Sequence, residues 1–315
     1  MPELPEIALY LHALRARVLG ERLEAVRIRS PSLLKSFDPP IADAHGKVVE
    51  SLSRLGKRVV FGLEHDLHIV IHLMIAGRFQ WRKPGAPIHR KQGHAALDFA
   101  RGSLLLTEAS SHKRASLHLV RGEAGLRDHD PGGIEPLDAP PADFAAALRR
   151  ENRTLKRALT DPRILSGIGN AHSDEILLRA RLSPVKLTSR LTGAEIERLH
   201  AATRSSLREW SARLIEEAGD AFPKKVIAFH PAMGAHGKYG EPCPRCGTAI
   251  QRIVYATRET NYCPACQTGG RLLADRALSR LLRRDWPKRV EDLEELRRGP
   301  ADVPTGRPPY RHPSG

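Results

Sequence analysis

Cysteine, acidic charge, aromatic rings and long apolar runs are all scarce in this chain. Four cysteines in 315 residues are too few for a disulfide framework, and all four fall between positions 243 and 266. No apolar run approaches the ~20 residues of a membrane span, which excludes an integral helical membrane protein. The amino end, MPELPEIALYLHALRARVLG, has two prolines and two acids where a secretion signal would carry a basic and then an apolar stretch. These absences lead to the expectation of a reducing, cytoplasmic compartment. Aromatics make up only 5%, but hydrophobic residues reach 41%, enough for a packed core and too many for a disordered chain. Acids number 36 against 51 Lys and Arg, leaving a net charge of +15. A polyanion is the partner that such a charge suits.

What is present is organised in two styles. Residues 5–19 predict an amphipathic helix: Ile7, Leu11, Leu14 and Val18 recur at helical spacing, and Pro5 suits a first turn. Strand-like runs follow at Glu24–Ile28, Lys57–Leu63, His68–Phe79 and Ala95–Leu106. Asp128–Pro141 (DHDPGGIEPLDAPP) reads as an interdomain linker. Beyond it, Ile196, Leu199, Thr203, Leu207, Trp210 and Leu214 form the stripe of one long helix. A β-rich half followed by a helical half argues for separate domains. The Pro- and Gly-rich tail from Gly299 reads as disordered.

Cys243-Pro-Arg-Cys246 and Cys263-Pro-Ala-Cys266 are two CxxC knuckles separated by sixteen residues, and the alternating Thr248–Tyr262 segment between them predicts a β-hairpin. Two knuckles supply four thiolates, a closed tetrahedral set, so the expected cofactor is one structural Zn2+ and not a catalytic one. From Phe222 to Arg289 there are 13 basic and 4 acidic residues, an excess that favours nucleic acid over a neutral partner. Ser166-Gly167-Ile168-Gly169-Asn170 precedes a helix-start pattern at Ser173-Asp174-Glu175. Closely spaced glycines before a helix suit either a phosphate or a tight interhelical turn. The basic surroundings, ten against four acids over Arg149–Arg190, favour an element held on a duplex backbone.

With these motifs in hand, the sequence resembles the formamidopyrimidine-DNA glycosylase/endonuclease VIII family of DNA-repair enzymes. The resemblance runs through Met1-Pro2-Glu3-Leu4-Pro5-Glu6, Leu55-Gly56-Lys57, His72–Gly77, Gly167–Asn170 with SDEILLRARLSP after it, and the paired knuckles. It implies an α+β multidomain fold: an N-terminal helix with a two-sheet β-sandwich, a helix–two-turn–helix domain and a C-terminal zinc ribbon. The corresponding boundaries are 1–130, 131–222 and 223–290, with a tail over 291–315. It also implies a bifunctional DNA glycosylase/AP lyase of base excision repair, acting as a monomer on damaged double-stranded DNA at the nucleoid, with no membrane partner.

Residue by residue, the resemblance makes Pro2 the nucleophile once Met1 is removed. An α-amine titrates near ~8, so a fraction is neutral at pH 7, unlike a lysine. Glu3 takes the acid/base role at the sugar ring oxygen. Glu6 matches a second acidic position, although a plain helix charge would suit it as well. Lys57, Asn170 and Arg258 match phosphate-gripping positions that would pinch the backbone around a flipped nucleotide. Lys156 resembles a basic position near the lesion pocket. Two loops depart from the family pattern. Where the family usually reads His-Leu-Gly-Met-Ser-Gly, this chain has His72-Leu73-Met74-Ile75-Ala76-Gly77, leaving Met74 or Ile75 to fill the gap of the flipped base. The family's Asp-Pro-Arg-Arg-Phe-Gly loop is replaced by Ser111-His112-Lys113-Arg114-Ala115-Ser116, without the aromatic, so Lys113 or Arg114 must face the opposite base. Lesion choice therefore stays open between oxidised purines and an endonuclease VIII-like set of oxidised pyrimidines, hydantoins or abasic sites. A non-catalytic zinc-ribbon DNA-binding protein is the remote rival, and it would not need Pro2 and Glu3.

Overall fold

The computed structural model describes residues 1–110, 112–224, 226–255, 258–273, 287–290 and 292; for Tyr255 and Arg258 it describes the backbone alone. The chain opens with helix α1 (Leu4–Val18), whose predicted stripe Ile7, Leu11, Leu14 and Val18 is buried. Eight antiparallel strands follow: β1 (Arg22–Ile28), β2 (Lys47–Leu55), β3 (Arg58–Leu63), β4 (Leu67–His72), β5 (Gly77–Arg82), β6 (Gly93–Phe99), β7 (Gly102–Glu108) and β8 (Ser116–Arg121). They run in the order β5-β7-β6-β1-β2-β3-β4-β8. Only two residue pairs, Arg22↔Val48 and Leu23↔Lys47, join β1 to β2, so the order divides into two four-stranded layers. Ile7, Leu14, Phe61, Ile69, Phe79, Leu97 and Leu106 fill the core of this half. α1 packs on β2, β3 and the long helix of the second half.

Two predicted strands are each two strands. His68–Phe79 breaks at residues 73–76, where Met74 takes a left-handed φ of 54° and the amide of Gly77 donates to the carbonyl of Leu73 (2.9 Å). Ala95–Leu106 breaks between Phe99 and Gly102, a hairpin whose two arms pair with each other. Apolar alternation persists across both breaks, which is why it does not reveal them. Lys57 is not on β3 but in the two-residue turn that joins β2 to β3, with Gly56 at φ 60°.

The helical half contains α2 (Gly122–Arg127), α3 (Pro141–Arg149), α4 (Leu155–Thr160), α5 (Asn170–Ala180) and α6 (Gly193–Ala218). The expected linker region after α2 holds no regular helix or strand before α3. α6 starts at a capping box: Thr192 Oγ1 accepts from the amide of Glu195, and Glu195 Oε2 accepts from the amide of Thr192. Its predicted stripe is buried from Ile196 to Trp210, while Leu214 is partly buried against the sheet core. Leu4, from α1, belongs to the helical core with Phe144, Leu159 and Leu177, so the amino end is wedged between the two halves. The hairpin β9 (Gln251–Tyr255)/β10 (Arg258–Tyr262) and the short α7 (Pro264–Thr268) close the described chain; the tail from Gly299 lies outside the described residues.

Candidate active site and zinc centre

The local sequence predicts that α5 starts near Ser173, but it starts at Asn170, with Gly169 as its cap residue and no capping side chain of its own. The cap comes from the other end of the chain. Glu3 is 3% exposed, and its carboxylate accepts from the amides of Gly169 (2.7 Å), Ala171 (3.0 Å) and His172 (3.2 Å). A carboxylate suits this place because unpaired N–H groups and the helix dipole both point at it. Leu4 adds a backbone bond to the carbonyl of Gly167 (2.9 Å).

Both glycines are required by this approach. Gly167 has φ +79°, and a Cβ there would lie 2.9 Å from the Leu4 side chain and from Arg54. A Cβ on Gly169 would lie 2.5 Å from Glu3 Oε1 and 2.8 Å from Lys57 Nζ. The ammonium of Lys57 and the carboxylate of Glu3 thus meet over one glycine. Sequence reading places these two residues in one site, and the fold brings them together.

Pro2 is buried, and Met1 precedes it. Burial holds the Met1 amine below its ordinary value; Glu3 and Glu6 oppose this shift, while Arg78 and Lys57 reinforce it. This end of the chain therefore favours an uncharged amine. His72, at the end of β4, is pushed down to about 4 by burial, then by Arg58 and Lys57, so it is neutral at pH 7.

Glu6 is the inner carboxylate. Its Oε2 accepts from the amide of Glu3 (2.7 Å), and its Oε1 lies 3.0 Å from His172 Nε2. Glu6 is 2% exposed and His172 is fully buried. Burial pushes Glu6 up, but the charge and hydrogen bond of His172 outweigh it and hold the carboxyl low. Burial likewise opposes charge on His172, and Glu6 above all reverses that, leaving the imidazole raised. Trp210 stands edge-on to the imidazole, with ring centroids 6.0 Å apart.

Asn170 Nδ2 donates to the carbonyl of Glu259 on β10 (2.8 Å), tying the start of α5 to the cysteine hairpin. Arg258 begins β10 opposite Tyr255, at the hairpin tip; its side chain lies outside the described residues. Lys156 does not project from the protein. Its Nζ binds the carbonyl of Asn170 (2.6 Å) and Asp174 Oδ1 (2.5 Å), and Asp174 also meets His236 Nδ1 (2.7 Å). Glu175 accepts from the amides of Gly234, Ala235 and His236, each at 2.9 Å. These bonds lock the helical half onto the segment that leads into the hairpin.

In the two departing loops, Ile75 is 62% exposed whereas Met74 is half-buried in its left-handed turn. Lys113 Nζ folds back onto the carbonyl of Glu108, and the Glu108 carboxylate accepts from the amides of Arg114 and Ala115. The Arg114 side chain is left exposed; Ser111 lies outside the described residues.

The sulfur atoms of Cys243, Cys246, Cys263 and Cys266 all lie within 4.8 Å of one another. Zinc–sulfur bonds of ~2.3 Å at tetrahedral angles require sulfurs ~3.8 Å apart, so the set fits the ion. With four thiolates and no place for a water, it is a site for one structural zinc. Cys243 and Cys263 are buried with Leu178 of α5 and Ile250, so the metal centre shares a small core with the helical half.

Sequence reading missed His172, Arg54 and Arg78. Arg54 Nη1 donates to Ser166 Oγ (3.1 Å) and Nη2 pairs with Glu135, which holds the glycine loop against β2. Arg78 binds the carbonyls of Gly77 (2.5 Å) and Ile75 (3.2 Å) beside the amino end. A lone Arg or His next to a motif carries no signal until the partner from elsewhere in the chain is known.

Three family models match in chain order: the formamidopyrimidine-DNA glycosylase N-terminal domain over residues 1–116, the formamidopyrimidine-DNA glycosylase H2TH domain over 133–213, and the zinc finger found in FPG and IleRS over 240–269. Formamidopyrimidine-DNA glycosylase of Heliobacterium modesticaldum is 34% identical over 280 residues, covering 85% of this chain and 100% of the relative. The Bacillus cereus (strain ZK / E33L) protein of the same name is 32% identical over 287 residues, covering 85% and 99%. Among solved structures, Lactococcus lactis formamidopyrimidine-DNA glycosylase bound non-covalently to DNA containing an AP site matches with a TM-score of 0.74 at 27% identity, covering 84% of this chain and 99% of that one. The same protein with DNA containing an oxidised pyrimidine matches at 0.75 and 28%, covering 85% and 100%. On this breadth of match, this chain belongs to the formamidopyrimidine-DNA glycosylase family.

Proposed function

We propose that this chain excises oxidised bases from duplex DNA and then cleaves the strand as an AP lyase, through a Schiff base on Pro2. The observation that carries the reading is the meeting of the amino end, the Glu3 carboxylate and Lys57 at the start of α5. Removal of Met1 exposes a secondary amine, and the surroundings that hold the Met1 amine low favour its neutral form. Its lone pair forms a bond to C1′ as the base leaves with the glycosidic electron pair. Glu3 delivers a proton to the ring oxygen, the ring opens, and the amine loses its own proton to become an iminium. That iminium accepts the electrons when a C2′ proton is removed and the 3′ phosphate departs; a second elimination releases the 5′ phosphate. Lys57, Asn170 and Arg258 hold the flanking phosphates, Ile75 or Met74 fills the vacated stack, and Arg114 or Lys113 faces the opposite base. Its exposure favours Ile75 over Met74, and Arg114 is favoured over Lys113 because Lys113 Nζ is bonded back to the carbonyl of Glu108. Lys156 supports Asn170 through its carbonyl.

Residues 1–130 carry the nucleophile, 131–222 the helix–two-turn–helix and 223–290 the zinc hairpin, in a monomer that works in the cytoplasm on the nucleoid. No helix among the described residues is long and apolar enough to cross a membrane. Oxidised pyrimidines are the second reading of the substrate, favoured by the loss of the aromatic from the 111–116 loop. The test is borohydride reduction with untagged protein on a panel of single-lesion duplexes, each opposite every base. A stable protein–DNA adduct should map to Pro2 in chain lacking Met1, and a permanent N-terminal tag should abolish it. An adduct on a lysine such as Lys57, or full activity of the tagged chain, overturns the mechanism.

A further inference from the structure

Two carboxylates stand beside the amino end, and one residue of the helical half holds both. The backbone N–H of His172 donates to Glu3 Oε2 (3.2 Å), while its ring Nε2 lies 3.0 Å from Glu6 Oε1. Glu6 Oε2 in turn accepts the amide of Glu3 (2.7 Å). These three bonds close a ring that runs from His172 through Glu3 and Glu6 and back to His172. The ring pins the Glu3 backbone one residue after the Pro2 nitrogen. Nε2 must carry the proton that faces the carboxylate, because Nδ1 is buried with no hydrogen-bond partner among the described residues. The imidazole has no room to swing out of this bond, since it is fully buried with Trp210 of α6 edge-on to it.

We propose that His172 is a positioning residue of this site, fixing through Glu3 and Glu6 where the N-terminal amine stands relative to the sugar. The inference rests on the proposed Pro2 chemistry. Its ring is fully buried and reaches the amino end through Glu6, so it acts on the rate of the covalent steps and not on affinity. A misplacement of ~1 Å at reacting atoms costs about a hundredfold in rate.

The test compares wild type, His172→Leu and His172→Gln as full-length untagged chains. Glutamine keeps an N–H donor that reaches toward Glu6, and leucine keeps the bulk without the donor. Single-turnover rates are measured on a lesion duplex and on a preformed abasic duplex, with Kd for a duplex holding a reduced, uncleavable abasic analogue. His172→Leu should lose about a hundredfold in both rates while its Kd stays within about threefold, and His172→Gln should regain at least about tenfold of that loss. Unchanged rates in His172→Leu, a matching collapse of Kd, or a glutamine variant no better than leucine would overturn the inference. Failure of the functional reading looks different: the wild type itself forms no adduct at Pro2, and the inference falls with it.

Discussion

At Glu3 a single carboxylate caps α5 and also faces Lys57 and the amino end, the place where the proposed chemistry needs it. Gly169 is the residue that permits this. Its replacement by Ala would drive a Cβ to 2.5 Å from Glu3 Oε1, and the capping carboxylate must move. Gly169→Ala should therefore lose base excision by about a hundredfold or more in single-turnover assays while circular dichroism stays native. Glu3→Gln should excise poorly yet still be trapped by borohydride on abasic DNA, where no base has to leave. The Glu6–His172 pair predicts a pH window. Glu6 is held low, so its contribution to stability is complete above the ordinary carboxylate value of 4.5 and is lost as pH falls through its folded pKa. His172 is raised, so its contribution is complete below 6.5 and is lost as pH rises through its folded pKa. The unfolding free-energy gap between wild type and a Glu6→Gln/His172→Gln double variant should peak between these values. A gap that does not vary with pH would count against a charged pair.

Among the elements, α5 is the one where the amino end, the hairpin and the cysteine knuckles meet. Its start is capped by Glu3, its first side chain binds the backbone of β10, and Leu178 lies in the core of the cysteine knuckles. The zinc hairpin and Asn170 are thus coupled through the carbonyl of Glu259. The purified chain should hold about one zinc per molecule, because ligation and folding of a four-thiolate site occur together. Chelation, or Cys263→Ser, should abolish duplex binding and also release Asn170 from its hairpin contact. The N-terminal sheet core shares no cysteine, so its thermal transition should survive. Loss of the whole cooperative transition, or active protein free of zinc, would refute this separation.

Over the whole molecule, the net charge of +15 fits a surface that gathers a polyanion and leaves its placement to a few side chains. Each phosphate neutralised by a cation adds about −0.9 to the slope of log K against log salt. Lys57 and Arg258 together should contribute about −1.8 to that slope, and Lys57→Ala should flatten it by about one. Binding that does not respond to salt would remove the phosphate clamp.

Much of this architecture is legible in the sequence because its signals are local. The α1 stripe, the α6 stripe, the paired knuckles and the glycine pair each announce an element through spacing alone. Pro2, Glu3, Lys57 and Asn170 could be singled out by motif. What only the tertiary structure decided is where these pieces meet. α5 begins three residues earlier than its own Ser-Asp-Glu pattern suggests, because its cap comes from residue 3 and not from the adjoining chain. Lys156 turns inward because the buried Asp174 requires a cation, and His172 becomes part of the site only because Glu6 lies across the domain junction. A helix cap or a buried charge needs a partner, but its position in space need not follow its position along the chain.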